Sequence, residues 1–373
     1  MTNTAVDARV GTTPQAEPAP AHRWWVLAVI GLAQLMVVLD ATIVNIALPS
    51  AQHSLGFPNS ERQWVVTAYA LAFGSLLLPG GRIGDMFSRK RVFITGLIGF
   101  AGSSALGGAA TSFGMLVAAR TLQGAFGAIL APAALGTLIS IFRDPRERGR
   151  AFGVFGSVAG GGGAVGLILG GVLTEYLSWR WALYVNLIFA GIAVAGALMY
   201  IQSNRPAVRP RMDWAGTLLG SAGLFCLVFG FSHAETGGWT APLTLGSLVL
   251  GVVLLAAFGF AEQRVRQPLL PLRVILDRTR GGSYVAVGVA GIAIFSVFLF
   301  LTYYLQQVKG YSPVTTGLAF LPLFGTILIS SNTSSIVTLP RFGPRVLITT
   351  GMVLGGGWYW INWTGCPGTT SKA

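Results

Sequence analysis

The chain has 373 residues, of which 53% are apolar and only 10% charged, and its 25 Lys and Arg against 12 Asp and Glu give a formal net charge of +13. A soluble chain is roughly a quarter charged, so a fold in water could not hide this much apolar surface. Lys and Arg sit in short loops between apolar runs rather than among aromatics on a polar face, which sets nucleic acid aside as the partner of the positive charge.

Apolar runs of about 20 residues, the length that crosses a ~30 Å hydrocarbon core as a helix, recur along the sequence and predict an all-α polytopic membrane protein. Residues 1–22, rich in Ala, Pro, Thr and Gln, predict a disordered tail. Spans follow at 24–48, 64–81, 92–110, 113–142, 152–173, 181–201, 214–231, 243–260, 284–305, 317–339 and 346–361. A β-barrel would need short alternating segments, which the sequence lacks.

Alternate loops are rich in arginine. One set holds Arg82, Arg89, Lys90 and Arg91, then Arg143, Arg146, Arg148 and Arg150, then Arg205, Arg209 and Arg211, with further arginines at 264–280 and at Arg341 and Arg345. The opposite set holds Arg62, Arg180 and Lys309. The inside rule puts the first set, and the N-terminus, in the cytoplasm.

In the first span, Asp40 is the one acid deep in an apolar run, within Leu39-Asp40-Ala41-Thr42-Ile43-Val44-Asn45. At 1.5 Å of rise per residue it lies about 13 Å below Pro49, and Arg120 in the fourth span lies about 10 Å below Phe113. Opposite charges at matching depth can neutralise each other. The pair reads either as a proton-coupling carboxylate with its counter-ion or as a structural ion pair between helices 1 and 4.

The loop after the second span reads Gly81-Arg82-Ile83-Gly84-Asp85-Met86-Phe87-Ser88-Arg89-Lys90-Arg91. If the helix continues through it, Asp85 and Arg89 share a face and pair. The fifth span carries Gly153, Gly162, Gly166, Gly170 and Gly171 among further glycines, whose spacing clears a face for close helix packing. Gly160 to Gly163 is no phosphate loop, since no Lys-Ser or Lys-Thr follows. Cys226 and Cys366 lack metal-ligand spacing, and the three histidines, His22, His53 and His233, are isolated. No metal, cofactor or enzyme is expected.

Together these segments resemble the major facilitator superfamily and, within it, the fourteen-span branch of drug:proton antiporters. Leu39 to Pro49 resembles the branch's helix 1 signature. Gly81-x-x-x-Asp85-x-x-x-Arg89-Lys90 resembles the superfamily's cytoplasmic switch loop, with Ser88 where Gly is usual. Arg120-x-x-Gln123-Gly124 resembles its helix 4 proton-transfer motif. Gly153, Gly162, Gly166, Gly170 and Gly171 fit the antiporter motif of helix 5, with Leu167 in place of proline. Trp179-Arg180-Trp181 with Asn186, and Tyr304 to Pro313, resemble the branch's segments around helices 5 to 6 and 9 to 10.

The resemblance covers about residues 24–354. It implies an N-terminal six-helix half at 23–202, a two-helix linker region at 203–280, part of a second half at 281–357 and an atypical tail at 358–373, so a truncated chain is expected. It also implies export of small, drug-like molecules in exchange for protons by alternating access, in a cell membrane, with Asp40 and Arg120 coupling the proton. Transport of one specific metabolite, or a membrane protein that does not transport, are the alternatives.

Overall fold

The computed structural model of the chain describes residues 22–203, 213–265, 277–334, 341–343 and 345–353, with residues 269 and 338. The predicted tail at 1–22, apart from His22, and the stretch at 358–373 lie outside them. The elements are α1 (Arg23–Leu55), α2 (Asn59–Met86), α3 (Arg89–Gly108), α4 (Phe113–Ile141), α5 (Pro145–Tyr176), α6 (Trp181–Tyr200), α7 (Trp214–Gly237), α8 (Pro242–Glu262), α9 (Arg278–Tyr303), α10 (Pro313–Ala319) and α11 (Leu321–Thr333). Among the described residues, seven helices are long and apolar enough to cross a bilayer, so the chain is an all-α polytopic membrane protein.

Several helices overrun the apolar runs that announce them, because hydropathy marks the lipid-facing length while capping marks the helix. α5 starts seven residues before the predicted 152: Asp144 is its N-cap, accepting from the Glu147 amide at 2.9 Å, and Pro145 occupies the first turn. α1 runs on to Leu55 and stops at Gly56, whose φ of 69° is open to glycine and whose amide donates to the Gln52 carbonyl. The span predicted at 317–339 begins earlier and is broken: α10 ends at Ala319, and after Phe320 α11 restarts at Leu321, with Pro322, which has no amide to continue a helical ladder, in its first turn. α9 continues into a π-helical turn at Tyr304–Val308.

Helices α1 to α6 pack as one bundle, with α1 against α5 and α6, α3 against α4 and α6, and α2 against α4. At the Arg-rich end, Arg23 pairs with Glu147 at 2.7 Å, which ties the starts of α1 and α5. Lys90 donates to the Leu198 carbonyl at 2.8 Å, meeting the C-terminal turn of α6. At the far end Arg180 donates to the carbonyls of Gly108 (2.8 Å) and Ala110 (2.6 Å), where α3 leaves its last carbonyls open. α7 and α8 pack on each other, and α7 lies on α2 with Trp64 and Phe229 5.8 Å apart. α10 and α11 pack on α5.

Candidate functional site

A charge in the middle of such a bundle must be met by protein groups, because no water reaches it. Asp40 is 0% exposed and Arg120 is 2% exposed, and Arg120 Nη1 lies 2.6 Å from Asp40 Oδ2. The other carboxylate oxygen, Oδ1, accepts from Gln123 Nε2 at 2.6 Å and from Asn186 Nδ2 at 2.8 Å. Ser104 Oγ accepts from the same two amides, at 2.6 Å and 3.2 Å. The cluster therefore joins α1, α3, α4 and α6.

The guanidinium is held from three further sides. Its Nη1 also donates to Gln123 Oε1 at 2.5 Å, its Nε donates to the Val65 carbonyl of α2 at 3.3 Å, and its carbon lies 4.4 Å from the centre of the Tyr69 ring. Gly124 makes this possible. A Cβ there would run into the Tyr69 carbonyl oxygen and the Ala72 side chain, so only glycine lets α4 settle against the α2 backbone. Apolar layers close the cluster above and below: Ile43, Val65 and Leu116 toward the far end, and Met36, Leu97, Phe100 and Leu130 toward the Arg-rich end.

The glycines of α5 divide by face. Gly162, Gly166 and Gly170 meet α1: added Cβ atoms would contact Leu35 and Val38, Thr42 and Leu39, and Ile43, the last with its Cα at 3.1 Å. Gly171 is buried in the same helix. Gly153 has open space around it and takes no part in that contact. Leu167, standing where the motif has proline, is buried among Ile46, Phe320 and Phe324.

The pairing expected for Asp85 and Arg89 needs one continuous helix, and the backbone breaks between them. α2 ends at Met86, Phe87 and Ser88 are extended, and α3 begins at Arg89. Asp85 is exposed and, among the described residues, makes no ion pair with Arg89, which instead donates to the Gly136 carbonyl at 2.7 Å. Lys90 is committed to α6, and a Cβ added at Gly81 would lie in ordinary contact with Pro132, at 3.7 Å.

Ser104 and Tyr69 are cluster members that the sequence reading missed, and Asn186 was noticed only as part of a motif. The Ser103-Ser104 step inside an otherwise apolar run was the available signal. Among the described residues no group of His, Cys, Asp and Glu could hold a metal ion.

The chain is thus a many-helix membrane bundle built round a buried ion pair. The chain belongs to the Major Facilitator Superfamily, whose family model matches residues 30–369 and so carries past residue 354, where the resemblance was expected to end. It is 54% identical over 327 residues to the puromycin resistance protein of Streptomyces alboniger, covering 88% of this chain and 65% of that one. It is 34% identical over 338 residues to the tetracenomycin C resistance and export protein of Streptomyces glaucescens, covering 90% and 62%. The chain thus spans somewhat less than two thirds of these relatives' lengths. A peptide transporter crystallised with sulfate has the same fold, at a TM-score of 0.57 and 13% identity over 83% of this chain and 69% of that one.

Proposed function

We propose that the chain acts in the export of small, antibiotic-like molecules across a cell membrane, exchanging them for protons by alternating access, as in the fourteen-span drug:proton antiporter branch. The observation that carries the reading is the Asp40–Arg120 pair, a titratable acid sealed from water and joined to a cation on another helix. Loading and unloading a proton there requires the surrounding helices to part, which links protonation to a change of shape. Relatives named for resistance to, or export of, puromycin and tetracenomycin C make those two compounds the first substrates to test. The basic loops favour a cytoplasmic N-terminus in a lipid bilayer. Gly81, Asp85, Arg89 and Lys90 are proposed to take part in switching, Gln123 and Gly124 to hold Arg120, and Gly162, Gly166, Gly170 and Gly171 to give α5 its packing face, a role that Gly153, with open space around it, does not share.

One observation favours a second reading, a purely structural pair: every oxygen of Asp40 is already engaged, with no exposure to either side. The test is puromycin efflux from vesicles under an imposed pH gradient, for the wild type and Asp40→Asn. Gradient-driven efflux that Asp40→Asn abolishes while puromycin binding persists supports coupling. Undiminished efflux by Asp40→Asn leaves the pair as structure.

A further inference from the structure

Two amide side chains reach Asp40, and they are not equivalent. Gln123 and Asn186 both donate to Asp40 Oδ1, and both donate to Ser104 Oγ. The carbonyl end of Gln123 is taken by the Arg120 guanidinium at 2.5 Å. Turning that amide over would set its NH2 against a cation. The carbonyl end of Asn186 is different: the residue is 0% exposed, and its Oδ1 has no hydrogen-bond partner among the described residues.

We infer that Asn186 is the group that reads the protonation state of Asp40, by turning over its amide when the carboxylate takes up a proton. This rests on the proton-coupling reading above. An ionised carboxylate only accepts, so Asn186 must present its NH2, as it does here. A protonated Asp40 carries an O–H that needs an acceptor at the same spot. Of the two amides in reach, only Asn186 can supply one. Its carbonyl oxygen would then face Asp40 and Ser104, and the NH2 would take the place now held by the orphaned oxygen.

The exchange costs Asn186 little, because one polar atom of its amide is unpartnered before and after. The charged and titratable groups facing Asp40 are Arg120 from α4 and, behind the guanidinium, Tyr69 from α2; α3 and α6 contribute Ser104 and Asn186, and α5 contributes glycines. Asn186 thus carries the state of the acid on α1 to α6, while Gln123 keeps Arg120 in place. It is a positioning residue that gains and loses no proton itself.

The test is infrared difference spectroscopy on the chain in proteoliposomes, between neutral and acidic buffer, with carbonyl-labelled asparagine in one sample and carbonyl-labelled glutamine in another. The expected result is a carboxylic-acid band absent from Asp40→Asn, accompanied by a shift of the labelled asparagine carbonyl that Asn186→Leu abolishes, with the glutamine carbonyl unmoved. Because Asn186→Leu can fail to fold, the asparagine-against-glutamine contrast in the wild type stands as the second measurement. An Asp40 band with a silent asparagine carbonyl, or with a glutamine shift in its place, overturns the inference and leaves proton coupling intact. Absence of any Asp40 acid band overturns both.

Discussion

Asp40 and Arg120 stand 80 positions apart in the chain, yet Arg120 Nη1 and Asp40 Oδ2 meet at 2.6 Å with neither residue reached by solvent. Removing one partner strands the other as a buried charge, which costs about 3–5 kcal/mol. Arg120→Leu is therefore expected to lower the thermal unfolding midpoint sharply in detergent, and the double substitution Asp40→Asn with Arg120→Leu to recover a clear part of that loss. A double variant no more stable than Arg120→Leu alone would show that the charges do not stabilise each other.

Arg120→Lys keeps a positive charge but not the geometry. The guanidinium makes bonds through Nη1 and Nε to three residues on three helices, and an ammonium on a flexible stem cannot reach all of them. Efflux by Arg120→Lys should be partial, between wild type and Arg120→Leu, at matched amounts of protein in the membrane. Full activity would mean that charge alone matters.

The α1–α5 contact sorts the glycines of α5 by consequence. Gly166→Val places a side chain into Thr42 and the Leu39 backbone, so a loss of ~1–3 kcal/mol is expected. Gly153→Ala enters open space within a helix and should be neutral, or stabilising by about 0.5–1 kcal/mol. Unfolding midpoints measured side by side decide the point, and equal effects at both positions would contradict the packing described.

Asp85→Asn should impair transport while the protein still inserts at normal levels. Because the backbone turns at Phe87 and Ser88, exchanging the charges with Asp85→Arg and Arg89→Asp is not expected to restore activity. Transport restored by the exchange would reveal a direct pair in another state of the protein.

Topology is testable without any transport assay. Reporters fused after Arg148 or Arg209 should register cytoplasm, and one fused after Gly237 the exterior. A cytoplasmic signal at Gly237 would overturn the assignment of the spans around it.

What could be read in the sequence depended on what a residue's depth and charge reveal without its rotation. Asp40 and Arg120 could be matched because helix rise alone places both at one level, and two opposite charges in lipid have few other places to go. Ser104 and Asn186 could not, since an uncharged polar residue in an apolar run gives its depth but not the direction it faces. The same limit hid the difference between Gly153 and Gly162, which share a motif but not a helix face. The expected Asp85–Arg89 pair failed for a local reason: spacing of four implies contact only where the helix is continuous. Helix ends were misjudged most where a cap such as Asp144 or a break such as that at Phe320 sits away from the hydropathy boundary.

The two faces of α5 have a geometric consequence. Beside the stripe that rests on α1, a second one runs through Gly153, Gly156, Gly160, Gly163 and Leu167, and its contacts change along its length. Toward the far end, a Cβ on Gly317 of α10 would lie 3.0 Å from the Leu167 backbone, and one on Gly163 would lie 2.8 Å from Phe324 of α11. From a Cβ on Gly160 the nearest such atom, on Ile327, would be 4.0 Å away, and at Gly156 and Gly153 none of the described residues would come within 4 Å. Among the described residues, the contact of α10 and α11 with α5 is therefore tight at Gly163 and Leu167 and loosens toward Gly153, like forceps that meet at a single point.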